Sequence, residues 1–417
     1  MTKLSSKIFQ KFYLQSPYDN PDPDELFEHA VKEVPYYRQF KGLSFREVPF
    51  LTKEIIRTEF ENLKSADLEN RKTFIKTSGG STGEPVRIIQ DRDYKKHQRV
   101  VTYEQKAWCG YSFGEPMIHL WGSEKDILAS GSGRQAKMIN SLKNLYILNA
   151  FRMGEREMRR YLKKINLIKP RLLVAYVQSI YELALFAEKN NIHINPPGAI
   201  MTSAGTLYPF MKEKIESVFN TPVYNRYGTR EVGNIACSGP GFEGLRISEN
   251  NVFVEVVDQK GFPCPDDTEG EIVVTSLVNY AMPLIRYKIG DRGILNRSKY
   301  DFPVLKKLSG RSTEMFMNGM GEWIPAEYFI HLIGVAYNRE NSWIKRFQVI
   351  QKSRKEILLK VVRSGKEVAE RDKSEITEGI RKVMGNDCRV NFEFVDEIPL
   401  LSSGKYCYVK TEFPAND

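Results

Sequence analysis

The stretch RLLVAYVQSIYELALFAEKNNIHINPPGAIMTSAG, residues 171–205, reads as one unit of an α/β sheet. An apolar run, "RLLVAYV", gives way to "SIYELALFAEKNN", whose apolar residues recur at helical spacing, and a second apolar run, "GAIMTSAG", follows. A strand covered by helices on both faces is mostly apolar and does not alternate strictly, as in the cores of both runs, Leu172 to Val177 and Ala199 to Met201. The same rhythm extends from Met117 to Val223 through "MIHLWG", "NLYILN", "MRRYLKKINLIK", "PFMKEKIESVF" and "PVYNRYG". Repeated strand–helix–strand order implies βαβ units around a buried sheet, and so an α/β fold.

Towards the N-terminus, "DPDELFEHAVKEVPYYRQF" offers a helix with Asp24 as its cap and Leu26, Phe27, Ala30 and Val31 on one face. A second helix is expected in "DRDYKKHQRVVTYEQKAWCG", ended by Gly110. Between them "FIKTSGGSTGEPVRIIQ" reads as strand, loop, strand. From Gly244 to about Leu295 strands and turns take over ("NVFVEVVDQKGFPCP", "GEIVVTSL", "PLIRYKIGDRGIL"), which suggests a β-rich subdomain. After "LKKLSGRSTEMF" the pattern resets to a small α/β unit, with strands in "KRFQVIQ", "EILLKVVR" and "RVNFEFVDEI" and a helix in "DKSEITEGIRKVMG". Leu308 to Thr313 is the expected linker.

At 417 residues the chain exceeds one core, and roughly two or three domains are expected, which permits a cleft. Hydrophobic content of 41% with 27% charged residues is ordinary for a globular enzyme and excludes fibrous and disordered classes. The first twenty residues lack the apolar core of a secretory signal, and no run approaches the roughly 18 apolar residues of a membrane helix, so a cytoplasmic protein is expected. Five scattered cysteines without CxxC spacing support neither a disulfide framework nor a zinc ribbon; Cys237 and Cys264, flanking the β-rich segment, are the one weak metal candidate. A net charge of +10 suits a polyanion such as a nucleotide, coenzyme A or nucleic acid, or simply a solvated surface. In "KSRKEILLKVVRSGKEVAERDKSE" acids interleave with bases, which argues against a nucleic-acid face.

Five stretches carry candidate chemistry. In "KTSGGSTGEP" the small residues Ser78, Gly79, Gly80, Ser81, Thr82 and Gly83 let backbone N–H groups approach an anion, but Glu84 and Pro85 replace the lysine of a Walker A loop. In "VYNRYGTREVG" an aromatic ring, Tyr227, and a carboxylate, Glu231, suit a purine and the magnesium that accompanies a nucleoside triphosphate. In "PLIRYKIGDRG" a strand turning at Gly290 would set Asp291 at a strand end, where a carboxylate accepts from ribose hydroxyls. "LSGRSTEMFMNGMGEWIPAEYF" sets Arg311 before a glycine-rich turn, and "DEIPLLSSGKYCYVK" ends on Lys405. No Ser-His-Asp or Cys-His arrangement is suggested by His97, His119, His193 and His331.

In this order the five stretches resemble the adenylate-forming superfamily of acyl-CoA synthetases, luciferases and peptide-synthetase adenylation domains. The nearest likeness is to phenylacetate-CoA ligase-like proteins of the capsular polysaccharide branch, and "VPYYRQF" and "VPFLTKEIIRTEF" extend it over nearly the whole chain. The resemblance implies an adenylation core over 1–309 with a β-rich part at about 244–300, a hinge at 310–313 and a mobile α+β lid over 314–417. It implies that Ser78 to Gly83 cover the ATP phosphates and that Ser203, Ala204 and Gly205 line the acyl and adenine pocket. Tyr227, with Gly228 and Thr229, would lie against adenine, Glu231 would bind Mg2+, Asp291 the ribose and Arg311 ribose or phosphate. Lys405 would serve the first half-reaction. Two departures are Arg230, where many members have threonine, and Val86, where many have lysine; Arg230 would add positive charge near the α-phosphate or the acid. Thr313 stands where Asp or Lys is common.

The activity implied is formation of an acyl-adenylate from a carboxylic acid and ATP, then transfer to coenzyme A. Transfer to an amine or hydroxyl of a polysaccharide precursor is the alternative, and a non-catalytic nucleotide-binding protein is a third. Trp121, Tyr176 and the residues around Ser203 are the expected acid pocket.

Overall fold

The computed structural model describes residues 13–77, 86–121, 134–150, 153–311, 315–321, 323–325, 328–330, 332–333, 342–399 and 406–412. The chain groups into two compact units: Met1–Leu207, Met211–Ile289 and Gly293–Leu308 form the first, and Tyr208–Phe210, Gly290–Arg292 and Ser309–Asp417 the second. No helix among the described residues is long and apolar enough to cross a membrane.

The first helix, α1 (Pro23–Glu33), buries Leu26, Phe27 and Ala30 as its spacing requires. Its cap is Asp22 and not Asp24: the Asp22 side chain accepts from the Asp24 and Glu25 N–H groups. Pro23 decides the register, because a proline fits the first helical position, where no N–H partner is needed. After α2 (Lys53–Thr58) come β1 (Thr73–Thr77) and β2 (Arg87–Asp91), which pair antiparallel on either side of the glycine-rich loop. Asp91 then caps α3 (Arg92–Trp108), accepting from the Tyr94 N–H at 2.7 Å. Gly110, at φ +80°, follows its end in the left-handed region, as expected of a helix terminator.

Next come β3 (Met117–Leu120), α4 (Arg134–Leu142), β4 (Leu145–Leu148), α5 (Glu155–Ile168), β5 (Leu172–Tyr176), α6 (Val177–Lys189), β6 (Ala199–Ser203), α7 (Pro209–Phe219) and β7 (Val223–Thr229). Strands β4, β3, β5, β6 and β7 lie side by side and parallel, as the βαβ reading requires. β8 (Gly233–Cys237), β9 (Leu245–Ile247), β10 (Val252–Val257), β11 (Glu269–Ser276), β12 (Tyr287–Asn296) and β13 (Val304–Arg311) make up the β-rich part. They do not close a separate sheet. A single eleven-stranded sheet runs β10-β11-β12-β13-β9-β8-β7-β6-β5-β3-β4. The seven residues of β7 make this possible, since Val223 to Asn225 pair with β6 and Arg226 to Thr229 pair with β8. Leu308 to Arg311, read from sequence as linker, finish β13; Ser309 and Gly310 hid the continuation because small residues carry little strand signal.

A buried ion pair anchors the N-terminal segment to this sheet. Arg286 meets Glu255 through Nε at 3.2 Å and Nη2 at 3.1 Å, and its Nη1 also donates to the Val48 carbonyl at 3.0 Å. Both side chains are nearly inaccessible, so removing one partner strands the other charge. We expect Glu255→Ala to lower the unfolding free energy by about 3–5 kcal/mol, read by urea denaturation. A change under about 1 kcal/mol would show that the pair is solvated.

The second unit contains a two-stranded ribbon, β14 (Met315–Met317) with β15 (Trp323–Pro325), and a four-stranded sheet. The sheet is built from β16 (Ile344–Ser353), β17 (Glu356–Arg363), β18 (Arg389–Phe394) and β19 (Val409–Thr411), in the order β18-β17-β16-β19. Helix α8 (Glu370–Met384) buries Ile376, Ile380 and Met384. Buried Gln351 joins ribbon to sheet, accepting from the Met317 N–H at 3.0 Å and donating to its carbonyl at 2.6 Å.

Candidate active site

In open α/β sheets, ligands gather at the carboxyl ends of the parallel strands. Pairing of Leu120 with Ala175, Tyr176 with Ser203, Thr202 with Asn225 and Arg226 with Cys237 fixes what stands there. The residues that follow in register, Trp121, Tyr176, Ser203 and Arg226, form one row on one face of the sheet. His119, two residues before Trp121, lies on the same face, since strand side chains alternate. The Trp121 and Tyr176 rings are 4.0 Å apart between centroids, and the Arg226 guanidinium is 5.6 Å from the Trp121 ring.

Lys106 on α3 is 3% exposed. Burial first, then Arg226 and Lys143, push its ammonium down to about 7. His119 is pushed well below its usual range by burial and then by Lys106, Arg226 and Lys143, and its Nε2 is buried without a hydrogen-bond partner among the described residues. The neutral imidazole is thus the favoured form. Beside this group Cys109 and Cys237, both buried, hold their sulfur atoms 4.0 Å apart. Cys264 packs in the other core cluster, so the pairing of Cys237 with Cys264 does not occur.

Ser203 ends β6, and Ala204 follows at φ +60°, a left-handed conformation that is uncommon for alanine and collects at functional sites. A side chain on Gly205 would come within 3.3 Å of the Val177 Cβ at the start of α6. Crowding thus holds the turn at the strand end.

The β7–β8 hairpin presents Tyr227 to Glu231. A methyl group on Gly228 would run into the Gly233 carbonyl oxygen across the hairpin. The Thr229 hydroxyl accepts from the Val232 N–H at 3.2 Å, which closes the turn. Arg230 is exposed and its Nη1 donates to the Thr77 carbonyl at 3.4 Å. From β2, the Gln90 amide donates to the Glu231 carbonyl at 3.4 Å. The hairpin tip is therefore fastened to both strands that enter and leave the glycine-rich loop. Glu231 is 8% exposed, and its carboxylate, after burial itself, pushes the Tyr94 phenol up. We expect Gly228→Ala to cost about 1–3 kcal/mol of stability and to displace this tip; an unchanged melting temperature would show that the hairpin opens freely.

Comparison with known proteins then fixes the relationship. The model of the CapK C-terminal domain matches residues 316–412. Protein CapK of Staphylococcus aureus is 26% identical over 97% of this chain and 87% of its own. The phenylacetate-coenzyme A ligase of Aromatoleum evansii is 24% identical over 69% of this chain and 68% of its own. A 2-hydroxyisobutyryl-CoA ligase, solved in the postadenylation state with an acyl-AMP, shares the fold at a TM-score of 0.71 and 17% identity, over 94% of this chain and 88% of that one. The sequence similarity to CapK and to phenylacetate-coenzyme A ligases, together with the shared fold, supports the adenylate-forming superfamily.

Of the site residues expected for this superfamily, the structure gathers Tyr227, Gly228, Thr229, Arg230 and Glu231 at the root of the glycine-rich loop, with Ser203 ending the neighbouring strand and Ala204 and Gly205 following it. Ser78 to Gly83, Thr313 and Lys405 lie outside the described residues. Arg311 is the last residue of β13. Asp291 is not at a strand end: β12 continues through Gly290, which sits at φ +85° within the strand, so the glycine bends the strand without ending it. Lys106, His119, Lys143 and Arg226 are candidate site residues that the structure adds and sequence reasoning missed. Their only signal is an ionisable side chain on an otherwise apolar face, most visible for Arg226 inside "VYNRYG".

Proposed function

We infer that this chain is an AMP-forming ligase that activates a carboxylic acid as its acyl-adenylate and transfers the acyl group to coenzyme A. The observation that carries the reading is the fastening of the Tyr227 to Glu231 hairpin to both strands of the glycine-rich loop, at the carboxyl ends of the parallel strands. Relatives that are acid-CoA ligases support it.

A carboxylate is a poor acyl donor, because its charge repels nucleophiles and oxide does not leave. Its oxygen therefore attacks the α-phosphorus of ATP, the bond to the β-phosphate oxygen breaks, and pyrophosphate departs. In the second step a thiolate adds to the acyl carbon and AMP leaves. In this reading Ser78 to Gly83 wrap the phosphates with backbone N–H groups, Tyr227 stacks on adenine, and Asp291 and Arg311 hold the ribose end. Arg230, exposed beside Thr77, offers charge to the α-phosphate or the acid. Lys405 bridges the carboxylate and α-phosphate oxygens in the first step, and rotation about 310–313 withdraws it for the second.

Glu231 fits magnesium: a buried carboxylate with no side-chain partner among the described residues is a hard oxygen donor, and Mg2+ typically takes one or two carboxylates with phosphate and water. When bound, an ion held by Glu231 would neutralise charge on the phosphates. A requirement for ATP fits a cytoplasmic location.

A second reading keeps the first step and replaces the thiol with another acceptor, an amine or hydroxyl of a polysaccharide precursor. Mass spectrometry of reactions with ATP and a panel of acids, with and without coenzyme A, separates the two. Acyl-CoA formed only when the thiol is present supports the first reading; acyl transfer to an added amine or sugar at equal rate without the thiol contradicts it.

A further inference from the structure

Elsewhere in the large unit, arginines drawn out of water, whether buried like Arg286 or half-buried like Arg71, are neutralised. Arg286 has Glu255, and Arg71 has Asp67 at 2.6 Å and Asp91 at 3.0 Å. Lys106, which is buried, and Arg226 and Lys143, which are half-buried, are not. Among the described residues none of the three has an ion-pair partner, and what each meets is an aromatic face. Lys106 Nζ is 4.4 Å from the centre of the Tyr103 ring, Lys143 Nζ is 4.4 Å from that of Tyr13, and Arg226 lies over Trp121. Ring faces recover only part of the lost hydration of a cation. Each cation also raises the cost of the others, as the shared depression of Lys106 and His119 reports. An unpaired charge in such a place is retained when a ligand brings the counter-charge.

The position of the group identifies the ligand. Arg226 and Tyr227 are consecutive on β7, so their side chains leave opposite faces of the sheet. Tyr227 packs against the core cluster of the N-terminal helices, whereas the Arg226 face carries Tyr103, Trp121 and Cys237. The cations therefore lie on the α3 side of the sheet, beyond the Trp121 and Tyr176 rings, and away from the tyrosine expected against adenine. We propose that Lys106, Arg226 and Lys143 bind a second anionic centre, a carboxylate or a phosphate, on the far end of the acid that is activated, so that the substrates are dianionic acids. This rests on reading the chain as an acid-activating ligase. The first carboxylate reacts at the nucleotide, and the second is held, unreacted, by the cations.

The test uses the full chain and acids matched in length: butyrate, glutarate and 4-phosphonobutyrate in one set, phenylacetate and 4-carboxyphenylacetate in another. In acid-dependent exchange of pyrophosphate into ATP, each dianion is expected to show a KM at least about 30-fold below its monoanion, the worth of a charge-assisted pair. Lys106→Met and Arg226→Met should erase that ratio while the KM for ATP stays constant. Lys106→Met should also raise the melting temperature of the unliganded protein, because an amine buried without a counter-charge has gone. A merely structural role predicts a lower one. Equal use of monoanions and dianions, or a KM for ATP that rises with that for the acid, overturns the proposal. If no acid supports exchange, the ligase reading fails first, and thermal stabilisation decides the inference separately. Stabilisation by dianions alone, lost in both variants, upholds it; no stabilisation by any dianion at millimolar concentration sinks it.

Discussion

Lys405→Ala is expected to slow acyl-adenylate formation about 10²-fold to 10³-fold, the typical loss when one preorganised contact to a developing charge is removed. Only the first half-reaction should suffer. Supplied with a preformed acyl-adenylate, the variant should transfer the acyl group to coenzyme A at a rate within about threefold of the unmodified enzyme, because the proposed mechanism withdraws the lysine in that step. Single-turnover measurement of each half-reaction separates the two rates. Equal loss in both would mean that Lys405 holds the nucleotide throughout; no loss in either would remove it from the chemistry.

A second large effect belongs to Glu231. Replacing its carboxylate with the isosteric amide, Glu231→Gln, keeps the volume of a side chain that is 8% exposed and so should leave folding intact. The charge that fits a divalent cation is lost, and the rate of adenylate formation is expected to fall about 10²-fold. The magnesium concentration for half-maximal rate should rise about tenfold or more, a shift that a purely structural role for Glu231 would not produce. An unchanged magnesium dependence would assign the residue to packing.

How far these residues are legible in sequence depends on how local their signals are. The βαβ region was readable because "RLLVAYV" and "GAIMTSAG" are largely apolar runs and "SIYELALFAEKNN" has helical period, and each of these is a property of one short window. Tyr227 to Glu231 was readable as a motif for the same reason. Its fastening to Thr77 and Gln90 was not, since those partners lie about 140 to 150 residues away and no local pattern announces them. The Asp24 cap failed by two residues because Pro23 outranks a second aspartate in choosing the helix start. The continuity of the eleven-stranded sheet was hidden in β7, whose halves pair with different neighbours. Lys106, Lys143 and Arg226 each look in sequence like ordinary solvated charge. Only the fold brings one from a helix, one from a helix–strand turn and one from a strand to the same face.

The most direct measurement is isotope exchange of labelled pyrophosphate into ATP by the purified chain, run across a panel of carboxylic acids without coenzyme A. Formation of a reversible acyl-adenylate requires exchange that depends on both the acid and magnesium, that needs no thiol, and that falls at least about 10²-fold in Lys405→Ala. Exchange that proceeds without any acid, or its absence with every mono- and dianionic acid at saturating ATP, would contradict an acid-activating ligase.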